Sequence, residues 1–185
     1  MNISIVGFGD SSFQFAVYIG NKPAVPEYEH LAELVNLQEG DIQLISNMCG
    51  NGWRKVFNVY AKLLYALKSP YFEFSALAPT WQSYRDNFLL QKGSQTALLF
   101  TPPSISSLAT VQPNATIKQI HLICGRTHAK KMQEQGVLNI PLTWLNEEFA
   151  INKRSKVIVC PYFDYRQLSN NKIEYLADLL SDLVT

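Results

Sequence analysis

The hydrophobic positions of the N-terminal region follow a strand-like pattern. Residues 3–6 form a short apolar run, and residues 13–19 alternate apolar with smaller or polar side chains. A period of two is the pattern of a half-buried strand. Glycines in residues 7–10 permit a tight turn between the two runs. The pattern therefore predicts two strands that are antiparallel neighbours.

Further along the chain, the apolar pattern predicts helices and strands in succession. Strands are predicted at residues 42–45, 95–100, 117–124 and 156–160, and helices at residues 26–36, 53–68, 127–135, 141–149 and 171–183. Another helix should begin after Thr80, whose hydroxyl suits the capping position. Alternation of strands with helices favours parallel pairing with helices on both faces. We therefore expect a three-layer α/β/α fold with a mostly parallel central sheet and an N-terminal antiparallel strand pair, in one domain spanning residues 1–185.

In such a sheet, ligands bind beyond the carboxyl ends of the strands. The loops expected there are residues 46–52, 101–106, 125–128 and 161–166. The candidate ligand-binding residues in and beside these loops are Asn47, Asn51, Arg54, Thr101, Arg126, Thr127, His128, Tyr162, Asp164 and Arg166. Because the strand ends should converge, we expect Asn51, Arg126 and Tyr162 to lie in one neighbourhood.

The run from Gly125 to His128 joins a predicted strand to the start of a helix, where unpaired N–H groups can hold an anion. Arg126 could add a bidentate contact to a phosphate or carboxylate. The alternative is a glycine turn followed by a Thr127 cap. Arg54 also begins a helix, where its charge opposes the helix dipole. Arg54 therefore either contributes to the ligand site or forms an ordinary surface ion pair.

Composition narrows the classes of partner. A net charge of +1 gives no overall basic excess of the kind typical of nucleic-acid binding. No apolar run is long enough to span a bilayer, and the N-terminus lacks the basic region of a signal peptide. The three cysteines, Cys49, Cys124 and Cys160, are far apart in sequence and without a C-x-x-C pair. They indicate buried free thiols in the cytoplasm rather than a disulfide framework or a zinc site.

Catalytic motifs are weak in this sequence. Residues 7–10 begin like a dinucleotide-binding fingerprint, but Ser12 stands in place of the third glycine, and a strand pattern follows where a helix is required. There is no Walker pattern and no G-x-S-x-G elbow. Of the three histidines, only His128 is placed at a strand-to-helix junction, and it has no identifiable partner for acid–base work. No catalytic residue, cofactor or metal is assigned, and the sequence leaves enzymatic activity open.

Three segments carry a family resemblance: residues 95–102 (QTALLFTP), 120–131 (IHLICGRTHAKK) and 157–169 (VIVCPYFDYRQLS). Their order resembles the uracil-DNA glycosylase superfamily, with a central strand, a strand–glycine turn–helix unit, and a last strand leading into the DNA-intercalating loop. The resemblance covers roughly residues 95 to 183. It implies a nucleic-acid-related enzyme or an inactive relative.

The chain departs from that family at its functional loops. Cys160 stands where the last loop normally has a histidine, and bulky Tyr162 and Phe163 follow Pro161 where the family has small residues. The family's first catalytic loop offers a carboxylate or Asn in a Gly-Pro-rich turn. The nearest counterpart is the loop 46–52, which has asparagines and no proline. If the fold is shared, these departures imply that the activity is absent or different.

The sequence leaves three alternative hypotheses about function. The first is binding of a small anionic or nucleotide-like ligand at the carboxyl ends of the strands. The second is a nucleic-acid enzyme, or its inactive relative, on a glycosylase-like fold. The third is a non-catalytic interaction module, which requires an exposed aromatic patch. Such a patch would come from Tyr162, Phe163 and Tyr165, or from Trp81 and Tyr84.

Overall fold

A computed structural model describes residues 4–68, 70–105 and 119–184 and places eight strands in one sheet. The strands are β1 (Gly7–Gly9), β2 (Phe15–Tyr18), β3 (Leu34–Val35), β4 (Thr96–Leu99), β5 (Ile120–Cys124), β6 (Thr143–Trp144), β7 (Ala150–Asn152) and β8 (Val157–Cys160). Their order across the sheet is β3-β1-β4-β2-β5-β8-β7-β6. The four central strands, β4, β2, β5 and β8, run parallel. The predicted α/β fold with a mostly parallel sheet is confirmed.

The antiparallel pairing in the N-terminal part of the sheet joins β1 to β4. β1 and β2 run in opposite directions, but the prediction that they are neighbours is wrong, because β4 lies between them. The turn after β1 does not close a hairpin. Instead, the Asp10 carboxylate accepts hydrogen bonds from the backbone N–H groups of Ser12 (3.1 Å) and Gln95 (3.0 Å). These bonds tie the turn to the start of β4, so β4 occupies the position beside β1.

Helices cover both faces of the sheet, but unequally. The helices are α1 (Asp41–Cys49), α2 (Asn51–Ala66), α3 (Trp81–Asn87), α4 (Arg126–Glu134) and α5 (Asn170–Val184). α1, α2, α3 and α5 share one core with the first face of the sheet, whereas α4 packs on the second face. None of these helices is long and apolar enough to cross a membrane.

α2 is the central helix of the larger layer, as its strong amphipathic pattern predicted. Its buried side chains include Val56, Phe57 and Leu64. The hydroxyl of Tyr60, also buried, donates to the backbone oxygens of Phe15 (3.3 Å) and Ala97 (3.0 Å), at the beginnings of β2 and β4. Trp53, near the start of α2, packs against Phe100 just after β4, with ring centroids 6.2 Å apart, so α2 runs antiparallel to these strands with its first residues at the carboxyl edge of the sheet.

Short segments account for the wrong secondary-structure predictions. Residues 42–45 belong to α1 rather than to a strand, because buried Ile42 and Ile45 have helical spacing. Residues 26–36 contain only a 3₁₀ turn, Pro26–Tyr28, and the strand β3. Residues 141–149 form the β6–β7 hairpin, not a helix. Periodicity alone does not separate strand from helix over so few residues.

Candidate functional site

A cleft of about 540 Å³ opens at the carboxyl ends of β2, β5 and β8. We call it the carboxyl-edge cleft. It is lined by Gly20, Asn21, Cys124, Gly125, Arg126, Thr127, His128, Glu147, Glu148, Pro161, Tyr162 and Gln167. Its position is the one at which open parallel sheets bind ligands.

The start of α4 forms one wall of the cleft. Gly125 continues the β5–β8 pairing by donating its N–H to the Cys160 carbonyl (2.8 Å), and then turns the chain with a φ of 102°. This backbone conformation favours glycine. In the part of the chain that the structure describes, no side chain caps the helix start. The first-turn N–H groups of α4 therefore remain available to an anion.

Arg126 holds the β6–β7 hairpin against α4. Its Nη1 donates to the backbone oxygen of Glu147 (2.9 Å), and its guanidinium lies 5.5 Å from the centre of the Trp144 ring. The side chain is exposed, so the remaining guanidinium N–H groups can still contact a ligand in the cleft.

Polar side chains on the opposite wall come from the end of β2 and from the loop after β8. The Tyr162 hydroxyl donates to Asn21 Oδ1 (3.0 Å). His128, which belongs to α4, packs closely on Gly20 at the end of β2. A Cβ added to Gly20 would lie 3.1 Å from the Nδ1 atom of the His128 imidazole. Burial, and secondarily the charge of Lys131, lowers the pKa of His128. At neutral pH this histidine is therefore an uncharged hydrogen-bonding group.

Acidic groups also border the cleft. Glu148 forms an ion pair with Lys172, in which the lysine Nζ lies 2.7 Å from the glutamate Oε1. The same Nζ also donates a hydrogen bond to the Gln167 carbonyl. Glu147 is exposed and contributes its backbone oxygen to Arg126. The Lys172 ion pair reduces the repulsion that these two carboxylates would exert on an anion.

The floor of the cleft contains a cysteine that is not a nucleophile. Cys124 and Cys160 are register partners on β5 and β8, and both are buried. Burial raises the pKa of Cys124 to about 12, although its sulfur accepts the Phe163 N–H (3.2 Å). The thiol is therefore protonated at neutral pH and unreactive. Cys49 is half-buried in α1.

Of the predicted site residues, Arg126, Thr127, His128 and Tyr162 line the carboxyl-edge cleft. Asp164 and Arg166 lie in the same loop as Tyr162 but outside the lining. The Asp164 carboxylate accepts the Arg166 N–H, which is the main reason why its pKa is lowered, and forms an ion pair with Lys55 (2.9 Å). This ion pair connects the loop to α2.

Asn47, Asn51 and Arg54 do not line the cleft. The predicted loop 46–52 is wrong, since Asn47 belongs to α1 and is exposed, with its Oδ1 accepting from Gln43 (2.8 Å). Asn51 and Arg54 lie in the first turn of α2, exposed at the same edge of the sheet. The expected meeting of Asn51 with Arg126 and Tyr162 therefore does not occur within this cleft.

Thr101 belongs to a different cavity, of about 270 Å³, over the second face of the sheet. Its Oγ1 accepts the Val6 N–H (3.3 Å). His121, which is half-buried, also lines this cavity, and its Nδ1 lies 2.8 Å from the Tyr18 hydroxyl. Burial lowers the pKa of His121 to about 4 and raises the pKa of Tyr18.

The His121 pKa predicts how stability depends on pH. In the unfolded chain a histidine titrates near pH 6.5, so between about pH 6.5 and 4 the unfolded state binds a proton that the folded state does not. The free energy of unfolding should therefore fall as the pH falls through this window. Urea denaturation at several pH values measures this slope, which should be shallower in His121→Gln. His30→Gln alters an exposed histidine and serves as the control; equal slopes in both variants would contradict the assignment.

The predicted aromatic patch is not present. Phe163 and Tyr84 are both 0% exposed, while Tyr162 and Trp81 are half-buried and Tyr165 is exposed. The hypothesis of an interaction module required these aromatic side chains to be exposed. The rings of Phe163 and Tyr84 instead fill the core beside α2. This burial weakens the case for an interaction module built on that patch.

Sequence reasoning missed the β2 side of the cleft. Gly20 and Asn21 follow a buried strand, and a Pro23 comes two residues later. Interpreting β2 as a parallel strand, rather than as half of a hairpin, would have made residues 20–23 a carboxyl-end loop. The β6–β7 hairpin, which supplies Glu147 and Glu148, was hidden by the helix prediction.

A protein-family model described as Family of unknown function (DUF6942) matches residues 6–181. No curated protein and no solved structure matches the chain.

Proposed function

Since the chain belongs to DUF6942, a family of unknown function, we propose from its geometry that the carboxyl-edge cleft binds a small ligand with an anionic, phosphate-like group. The observation that carries the proposal is the uncapped start of α4 at the carboxyl ends of parallel strands. Backbone N–H groups and the helix dipole there attract negative charge. Arg126 adds a guanidinium at the same point.

The rest of the cleft suits the uncharged part of such a ligand. His128 is neutral at neutral pH, and the Tyr162–Asn21 pair presents a phenol and an amide. These groups can exchange hydrogen bonds with a polar or heterocyclic body without adding charge. A nucleotide-like ligand meets both requirements. The free thiols support placing this function in the reducing cytoplasm.

Arg126→Ala should weaken phosphate binding roughly tenfold, since a hydrogen bond from a charged group is worth about 1.5 kcal/mol or more. Arg154→Ala is the matched control, because Arg154 is an exposed arginine in the turn before β8, at the opposite edge of the sheet. Titration with inorganic phosphate and with a nucleoside monophosphate, followed by backbone amide NMR, measures the effect. The Thr127 and His128 amides should shift. Absence of any shift, or equal affinities in the two variants, would remove the anion site.

A second candidate, nucleic-acid binding on a glycosylase-like fold, is favoured by one specific observation. The resemblance implies a carboxylate or Asn in a Gly-Pro-rich turn, and the segment after β2 contains Gly20, Asn21 and Pro23, of which Gly20 and Asn21 line the cleft. The loops after β5 and β8, which carry the resemblance, border the same cleft. Cys160, in place of the family's histidine, supports an absent or altered excision activity.

Fluorescence anisotropy with single-stranded and uracil-containing duplex DNA tests this second candidate. Binding should weaken as salt increases, because phosphate contacts release counterions. Asn21→Ala should reduce binding, or any strand breakage at uracil after alkali, while Asn47→Ala on the exposed face of α1 should not. No binding in low salt would reject the candidate and leave the small-ligand proposal standing.

A further inference from the structure

A separate cavity of about 500 Å³ opens at the amino ends of β2, β4 and β5, opposite the carboxyl-edge cleft. We call it the amino-edge cavity. Residues 70–77 form one wall, residues 93–95 before β4 form another, and Val184 at the end of α5 also lines the cavity. None of its lining residues belongs to the site proposed above.

Aromatic side chains dominate one side of this cavity. The Phe74 ring meets the Phe15 ring nearly at a right angle (centroids 6.4 Å apart, 84°) and lies almost parallel to the Phe72 ring (6.3 Å, 21°). Tyr71 is 48% exposed at the rim. Phe15 and Phe72 are buried and Phe74 is half-buried, so these rings form an aromatic corner in the wall of the cavity, with Tyr71 at its rim.

The charges around the amino-edge cavity favour a cation. Glu73 is the one charged residue among the described residues that line it, and within those ranges its carboxylate forms no ion pair. α2 and α5 both end at this edge, with no basic residue in the last turn of either helix. Helix C-termini carry partial negative charge. Lys68 and Lys92 are nearby in sequence but do not line the cavity.

We propose that the amino-edge cavity binds a small organic cation bearing a methylated ammonium group. Such a group is weakly hydrated and attracted to the faces of aromatic rings, and the Glu73 carboxylate supplies the opposing charge. The amides of Gln14 and Gln95, at the cavity's edge, can accept or donate hydrogen bonds to the body of the ligand. The volume exceeds that of the ammonium group itself and leaves room for this body.

Choline and its uncharged isostere 3,3-dimethylbutan-1-ol are suitable probes, since they differ mainly in charge. Amide NMR of the full chain should show choline shifting residues around the cavity, with weaker or no shifts from the isostere. Glu73→Gln and Tyr71→Leu should each lower choline affinity roughly two- to fivefold, as expected for one contact of about 0.5–1 kcal/mol. Both positions are exposed, so the variants should fold. Glu174→Gln, an equal charge change at the start of α5, is the control.

Three results would overturn the proposal. Equal shifts from choline and its isostere would indicate an apolar cavity without preference for charge. Shifts mapping away from residues 70–77 and 93–95 would place the binding elsewhere. No shift from choline at millimolar concentration would mean that the aromatic corner does not hold a methylated ammonium.

Discussion

Replacement of Gly9 by alanine is expected to lower the free energy of unfolding by more than about 3 kcal/mol. Gly9 has a φ of 128°, which L side chains rarely adopt, and an added Cβ would lie 2.3 Å from the Thr96 carbonyl oxygen and 2.6 Å from the Ala97 Cα. Both atoms belong to the backbone of β4. The clash therefore cannot be relieved by rotating a side chain, and β1 must move away from β4.

The matched control is Gly52→Ala. Gly52 is the second residue of α2, and a Cβ there would meet nothing within 4 Å. Alanine loses less backbone entropy than glycine when it becomes helical. The free energy of unfolding of this variant should therefore rise by up to about 1 kcal/mol. Urea denaturation of both variants measures the difference. If Gly9→Ala were as stable as Gly52→Ala, the close β1–β4 approach would be wrong.

Phe163→Ala is expected to lower the free energy of unfolding by about 3–5 kcal/mol, the usual range for removing a fully buried phenylalanine side chain. Its ring packs 5.7 Å from the Tyr60 ring, and its N–H donates to the Cys124 sulfur beneath the carboxyl-edge cleft. The residue anchors the loop after β8 to the core. Loss of the ring should also weaken phosphate binding through displacement of Tyr162.

Tyr165→Ala provides the comparison within the same loop. Tyr165 is 55% exposed, and its ring is 4.7 Å from the Lys55 ammonium. Removing such an exposed contact should cost no more than about 1 kcal/mol. Denaturant midpoints of the two variants give the stability difference. Similar losses in both would show that the loop is not held by Phe163.

Elements with long, strongly periodic sequences were predicted well. The apolar stripe of α2 and the buried run of β8 both lie within a few residues of their predicted positions. The Thr80 cap of α3 is also confirmed, since its Oγ1 accepts the Ser83 N–H (3.1 Å). The helix stripe and the cap depend on residues close in sequence, and β8 is a continuous apolar run, so local pattern is sufficient to reveal all three.

Four residues of the carboxyl-edge cleft, among them Arg126 and Tyr162, were identified from their positions after predicted strands. Asn21 and Glu148 were not, because their segments were assigned to the wrong elements. The β7 end of the hairpin reaches the cleft only because β7 pairs with β8. Pairing between segments distant in sequence leaves little trace in hydrophobic periodicity.

The sequence by itself determined the α/β class, the mostly parallel sheet and the strand–glycine–helix unit at Gly125, since each follows from periodicity or backbone sterics within a short window. Tertiary structure alone decided that β4 lies between β1 and β2, and that Gly20 and Asn21 face Tyr162. The physical reason is that strand order depends on which backbone groups satisfy one another across the sheet. At Asp10 and Gly9, that choice is made by contacts with residues more than eighty positions away.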